Sequence, residues 1–295
     1  MAHDNVLPLD GASRVTIRDD HQIGNILLED GKLKPADLER VLDLHQRSGL
    51  HFGEAALRLG LLDEEDLRAA LARQYGLPQL LPGDDGASSE LVAAFQPHHP
   101  CTEELRGLRT QLLLRWLDPA AGRRVLAVTS PGRGDGRSYV AANLAVVFSQ
   151  LGLRTLLIDA DLRNPRQHQI FNTQNRVGLA AALAGRADAS AVMPVPGCPK
   201  LSLLAAGAVP PNPQELLSRP MLATLLGELE TKFDLILLDT SAALEFSDSK
   251  SVAFRAGSAL VLARRNHTRI VDTNNMIQEL NDTGTRIVGT VINSF

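Results

Sequence analysis

The chain has only two cysteines, Cys101 and Cys198, and they stand apart without metal-type spacing. That excludes a disulfide-dense scaffold and a cysteine-built metal site, and it fits free thiols in a reducing compartment. Long apolar runs are missing too. Stretches such as Leu156–Ile158 and Leu235–Leu238 fall far short of the roughly 18 residues that a membrane span needs. The opening Met-Ala-His-Asp-Asn has no basic segment leading into an apolar one, so no secretory signal is expected. The expected location is the cytoplasm, with any membrane association made through a partner. Positive charge is not in excess. The net charge of -4 gives no basic field for a duplex, and no nucleic-acid partner is expected.

What is present is an ordinary globular composition, 44% hydrophobic and 22% charged over 295 residues, with length for about two domains. Residues 1–20 are polar and aperiodic, and read as a tail. An internal repeat follows within residues 21–79. Gly24 and Gly31 in the first copy, and Gly53 and Gly60 in the second, have the same spacing. Leu38 and Leu42, then Leu67 and Leu71, follow at matching distances. Each copy reads as a short helix, a Gly-terminated turn and a second amphipathic helix, with helix starts at Pro35 and Asp63. Residues 80–100, rich in Pro, Gly, Asp and Ser, read as a linker.

From residue 101 to 295 the pattern changes. A helix is expected over 102–116 and further helices over 137–150, 214–231 and 270–282. Strands are expected at 125–129, 155–159, 201–204, 235–239, 259–263 and 287–292. Apolar strands alternating with helices require a parallel sheet covered on both faces. The fold class is therefore α/β, a P-loop parallel sheet preceded by a small all-helical two-repeat domain.

The strand ending at Thr129 runs into Ser130-Pro131-Gly132-Arg133-Gly134-Asp135-Gly136-Arg137-Ser138 and then a helix. Glycines let the backbone turn several N–H groups toward one anion, and the helix N-terminus adds partial positive charge. Ser138 stands where a P-loop hydroxyl holds Mg²⁺. Asp159 and Asp161 follow one expected strand and Asp239 ends another, at the sheet edge where such folds bind ligands. A single Asp there can be a helix cap; three such elements in this order point to a nucleotide site.

This half resembles the bacterial tyrosine kinases of polysaccharide export, relatives of the partitioning ATPases with a deviant P-loop. The resemblance runs from about Cys101 to the end. It is carried by the glycine loop, by Leu157-Ile158-Asp159-Ala160-Asp161-Leu162-Arg163 with Pro165, His168 and Phe171, and by Gly178-Leu-x-x-x-Leu-x-Gly185. Ala206-Gly207 with Pro210-Pro211-Asn212-Pro213-x-Glu215, Phe233-Asp234 before Asp239-Thr240, and Val288-Gly289 before Asn293 complete it. It implies ATP and Mg²⁺ as cofactors. Gly132, Arg133, Gly134, Asp135, Gly136, Arg137, Ser138 and Tyr139 would form the phosphate loop. Ser138, Asp159 and Asp239 would serve the metal, Asp159, Asp161 and Arg137 the transfer, and Asn293 the adenine. Glu103-x-x-Arg106-x-x-Arg109 matches the helix motif by which these kinases form rings, and equally an exposed helix face. A homo-oligomer and a membrane-spanning polysaccharide co-polymerase are the implied partners.

Three departures stand out. Arg137 replaces the phosphate-gripping Lys, and a planar fork does not place charge as a compact ammonium does. The only tyrosines are Tyr75 and Tyr139, neither in the carboxyl-terminal cluster that these kinases phosphorylate, so self-phosphorylation of that kind is not expected. Ser241-Ala242 stands where the family has two prolines. The twin repeat in turn resembles the amino-terminal domain of type II secretion ATPases, which binds cyclic di-GMP in some members. Gln22, Gly24, Gly31, His51, Gly53, Gly60 and Gln74 would be its contacts here. The Arg of each repeat opening is lost, and the Gly/Leu framework equally suits a structural or partner-docking role. Two functions follow: a kinase-like regulator of exopolysaccharide polymerisation, or a nucleotide-dependent assembly switch with little phosphotransfer. A partitioning-type ATPase is disfavoured by the acidic balance.

Overall fold

The computed structural model describes residues 18–74 and 87–294, which belong to two compact units divided between Leu77 and Pro78. Tyr75 and most of the expected tail lie outside the described residues, but Arg18–Asp20 already belong to the first helix.

In its described residues the first unit has four helices: α1 (Arg18–Glu29), α2 (Pro35–Ser48), α3 (Phe52–Arg58) and α4 (Glu64–Gln74). Gly31 and Gly60 close the two inner turns with φ near +67° and +63°, a region that only glycine enters without strain. Pro35 opens α2 at its first turn. Asp63 caps α4 by accepting the Asp66 N–H at 2.7 Å. His51 and Glu54 form a capping box at the start of α3. Ile23, Leu27, Val41, Phe52, Ala55 and Ala56 are buried at the centre. Gly24 and Gly53 are where helices approach closely. A Cβ on Gly24 would lie 2.8 Å from Leu38 Cδ1, and one on Gly53 would lie 2.7 Å from Leu67 Cδ2. The repeat seen in the sequence is thus a repeated helix contact, made by equivalent Gly–Leu pairs.

The second unit begins with α5 (Val92–Phe95) and α6 (Pro100–Arg115), followed by β1 (Val125–Thr129), α7 (Arg137–Gln150) and β2 (Thr155–Asp159). Then come α8 (Gln167–Ile170), α9 (Leu179–Leu183), β3 (Met193–Val195) and β4 (Cys198–Leu204). Next are α10 (Pro213–Ser218), α11 (Pro220–Glu230), β5 (Leu235–Asp239) and α12 (Asp248–Ala256). The unit ends with β6 (Ser258–Arg264), α13 (Ile270–Asp282) and β7 (Arg286–Asn293). The sheet order is β3-β4-β2-β5-β1-β6-β7, parallel except for β3 against β4. All five residues of β1, β2 and β5 are buried, as strands covered on both faces must be. Leu126, Val128, Leu157 and Leu237 pack on the α7 side. Val125, Ala127, Leu156, Ile158 and Leu238 pack on the other.

Two expectations need correction. The helix expected over 214–231 is two, because Pro220 lacks an N–H and starts a new helix after Arg219. The linker expected over 80–100 is in its described part no linker. Leu91, Ala93 and Ala94 are fully buried. Buried Asn143 of α7 accepts the Ala93 N–H at 2.9 Å and donates to Glu90 O at 2.8 Å. Ser88 N–H also donates to Ile170 O at 2.9 Å. Composition marks turns there, but four apolar residues and one distant Asn bind the segment to α7.

Gly178 of the recognised motif has a packing reason. A Cβ there would sit 2.0 Å from Ala205 O and 2.6 Å from Gly207 N, backbone atoms that cannot step aside. Gly185, with φ +70°, faces open space. Gly178→Ala is expected to lower unfolding free energy by about 3 kcal/mol, whereas Gly185→Ala costs about 1 kcal/mol. Urea denaturation of the two variants beside wild type measures both.

Candidate functional site

The loop between β1 and α7 is shaped by its own side chains. Gly134 and Gly136 take φ of +73° and +96°, and Gly136 precedes the first turn of α7. Asp135 is buried and acts as an internal brace. One carboxylate oxygen accepts the Gly132 N–H at 2.8 Å and the other accepts the Thr268 hydroxyl at 2.6 Å. Asn293 Nδ2 donates to Asp135 O at 3.1 Å, and Arg264 Nη1 lies 3.4 Å from Gly134 O. The loop is therefore held from the β6–β7 side of the sheet. Arg137 is buried against the same backbone. Its Nε donates to Thr240 O at 2.8 Å and its Nη1 to Gly132 O at 2.5 Å and to the Ser130 hydroxyl.

Beneath the loop, parallel pairing of β2 with β5 sets Asp159 beside Asp239. Both are fully buried. Asp159 Oδ2 accepts the N–H groups of Arg166 and Gln167 at 3.0 and 2.9 Å. Gln167 Nε2 donates to Asp239 Oδ2 at 2.8 Å and to Ser138 O at 3.0 Å. The Ser138 hydroxyl also bonds to the Asp239 carboxylate. Oδ1 of each aspartate is buried and accepts no hydrogen bond. Burial first, and then the Asp239 charge, pushes Asp159 well above the carboxylate range. Burial pushes Asp239 up to about 6 against bonds from Gln167 and Ser138 and the Arg137 charge. Two orphan carboxylate oxygens beside a P-loop hydroxyl fit a hard divalent cation whose remaining ligands come from phosphate and water. Among the described residues no group of three or more His, Cys, Asp or Glu is placed to hold a metal ion, so these two aspartates would need the hydroxyl, phosphate and water to complete a shell.

A cavity of about 650 Å³ opens over the loop. Of the residues singled out in the sequence, Arg133, Gly134, Gly136, Arg137, Ser138, Tyr139, Asp161 and Asn293 line it. Gly132, Asp135, Asp159 and Asp239 are not in the lining; they shape the loop and the buried layer beneath. Asp161 Oδ1 accepts the N–H groups of Arg163 and Asn164 at 3.2 and 2.9 Å. Arg163 grips buried Asp248 at 2.6 Å and lies 4.0 Å over the Phe246 ring. Tyr139 meets Cys101 Sγ at 3.2 Å. Glu90, Asn164, Arg166, Glu245, Phe246 and Arg264 also line the cavity and were not legible as site residues, nor was Gln167.

The other candidates lie elsewhere. Arg106 bonds Glu103 and donates to Pro97 O at 2.7 Å, and Arg109 donates to Val147 O at 2.8 Å. Both arginines thus tie α6 to its own unit. Of the helical-unit candidates, Gln22 and Gly24 lie in α1, His51 and Gly53 at the start of α3, and Gln74 at the end of α4. All four glycines there answer to a turn or a helix contact.

The buried carboxylate pair yields a stability prediction for the chain in chelator without nucleotide. A carboxyl with a raised folded pKa costs stability fully above that pKa, and the cost fades as pH falls through it toward the unfolded value. Asp159→Asn keeps an acceptor for the Arg166 and Gln167 N–H groups and removes one of two facing charges. It is expected to raise the melting midpoint at pH 8 by about 2–4 °C. The gain should shrink as pH falls through the raised titration of Asp159 itself. Scanning calorimetry at pH 8 and pH 5.5 tests the sign.

Comparison with known proteins converges on this half of the chain. Residues 126–295 match the CobQ/CobB/MinD/ParA nucleotide-binding domain. EpsB of Ralstonia solanacearum is 36% identical over 204 residues, which are 69% of this chain and 27% of that protein. The chain thus spans about a quarter of the length of that curated relative. The kinase domain of the Escherichia coli tyrosine kinase Etk superposes with a TM-score of 0.65 at 29% identity, over 69% of this chain and 79% of that one. The VpsO kinase domain does so at 0.57 and 30% identity, over 66% of this chain and 99% of that one. Matched over more than half its length, the chain belongs to the CobQ/CobB/MinD/ParA nucleotide-binding family, among relatives that include bacterial tyrosine kinases.

Proposed function

We propose that the second unit binds ATP with Mg²⁺ and acts as a tyrosine-kinase-like phosphotransferase that regulates exopolysaccharide synthesis. The observation that carries this reading is the pair of orphan carboxylate oxygens on Asp159 and Asp239, set beside Ser138 under an anion-binding loop. The names of its relatives supply the reaction class. Bound Mg²⁺ would be held through Ser138, Asp239 and Asp159 and would neutralise charge on the transferring phosphate. The backbone N–H groups of Gly134, Gly136 and Arg137 would orient the phosphates. Asp161, on the cavity wall, would orient an attacking hydroxyl. Asn293, bonded to the loop at Asp135 O, supports the loop and lines the cavity, where it would meet the base. The partner we propose is a membrane-spanning polysaccharide co-polymerase. For residues 21–79 we propose a docking role, supported by glycines that already answer to packing; a flat calorimetric trace with cyclic di-GMP is the expected result.

Arg137 favours a second reading, a nucleotide-dependent assembly switch with slow transfer. Its guanidinium already serves Ser130, Gly132 and Thr240, so it keeps the loop formed rather than standing ready for phosphate. Arg137→Lys gives up the Nε bond to Thr240 O. It is expected to lower the nucleotide-free melting midpoint by about 3 °C and to raise phosphate transfer about tenfold. Labelled ATP with Mg²⁺ and the purified chain gives the second number. No label on protein and no released phosphate from either form sinks the kinase reading, and an ATP-independent sedimentation profile sinks the switch.

A further inference from the structure

The cavity wall carries four arginines, and three have evident tasks. Arg137 braces the loop, Arg264 lies against Gly134 O, and Arg133 pairs with Glu245 at 3.0 Å. The fourth, Arg166, comes from the loop that follows β2 and is the one whose own N–H holds Asp159 Oδ2. Its guanidinium reaches across to Glu90 at 2.8 Å. Both side chains line the cavity, together with Asp161, Asn164 and Ser138. Neither is buried, at 47% and 38% exposure, so the pair can part at modest cost.

Glu90 is placed there deliberately by the fold. Its carbonyl is held by Asn143, Leu91 through Ala94 are anchored in the core, and Ser88 N–H is tied to Ile170 O. Asn143 sits on α7, the helix that opens with Arg137 and Ser138. The segment is thus fixed to the phosphate-loop helix and carries one carboxylate into the cavity beside the loop that bears Asp159 and Asp161.

We propose that Arg166 recognises the terminal phosphate of a nucleoside triphosphate and that Glu90 masks it until that phosphate arrives. This rests on the nucleotide reading above. A phosphate offers the guanidinium two oxygens and more charge than a single carboxylate, so it displaces Glu90. A diphosphate, lacking that terminal group, leaves the pair closed. Arg166 therefore supplies the discriminating charge that Arg137, used within the loop, does not. Release of Glu90 also frees the ion pair with Arg166 by which residues 88–95 report on the cavity.

The test is fluorescence titration of the full chain with a non-hydrolysable ATP analogue and with ADP, both carrying the same ribose fluorophore, in Mg²⁺ buffer. Glu90→Gln is expected to tighten the triphosphate several-fold, and Arg166→Gln to weaken it about tenfold. ADP affinity should hold in both, and the double variant should behave as Arg166→Gln. A merely structural ion pair would move both single variants in the same direction, and that result overturns the proposal. So does an unchanged triphosphate affinity in Glu90→Gln, or an equal change for ADP. Wild type that binds neither nucleotide overturns the nucleotide reading itself, and this inference with it.

Discussion

The site is organised by a register constraint. Parallel pairing of β2 with β5 brings Asp159 level with Asp239, two carboxylates that are both fully buried. Nothing in hydrophobic packing asks for this, and desolvation opposes it. The neighbouring structure is arranged around that cost. Gln167 gives its backbone N–H to one aspartate and its amide to the other, while also holding Ser138 O. The Arg166 N–H completes the cradle on one side and the Ser138 hydroxyl on the other. Each carboxylate keeps one oxygen in reserve. A fold carries such strain where a ligand relieves it, and a cation is the ligand with the right sign.

The phosphate loop follows a complementary logic. Anion-binding backbone must stay formed when no anion is present, although its N–H groups repel one another. Asp135 answers this from within by accepting the Gly132 N–H, and it also accepts the Thr268 hydroxyl from beyond β6. Arg137 answers it by donating to acceptors on both β1 and β5 sides. The loop is preorganised by an internal anion and an internal cation, each turned into the backbone. This explains how Arg can replace Lys without collapse of the loop.

How far the sequence leads depends on whether a residue acts through its neighbours in the chain. β1, β2 and β5 were legible to the residue because each is a short apolar run ending at a polar turn. The four-helix repeat was legible from its spacing, since equivalent Gly–Leu contacts recur at equal intervals. Asp159, Ser138 and Asp239 were legible from motif. Gln167 was not: it sits in the polar stretch Asn164–Gln169, and only the fold shows that it is buried. Nor was Asn143, whose partners Glu90 and Ala93 lie some fifty residues away. The break at Pro220 was visible in the sequence, since a proline without an N–H opens a helix more readily than it continues one.

Residues 87–96 show the same limit with more consequence. Turn-forming composition around them suggests a passive connection, whereas burial of Leu91–Ala94 and the Asn143 bonds make them part of the nucleotide-binding unit. A connector anchored at the cavity can no longer be indifferent to what the cavity holds. Any change at Arg166 acts on Glu90, and through it on a segment already fastened to α7, without any new contact being required. The magnitude is bounded by one half-exposed ion pair, which suits a bias between states rather than an all-or-none switch. On the proposed reading, recognition of the triphosphate depends on one charge, that of Arg166, and the shape of the loop on another, that of Arg137. That division is consistent with a loop whose Arg137 maintains shape while Arg166 meets the ligand.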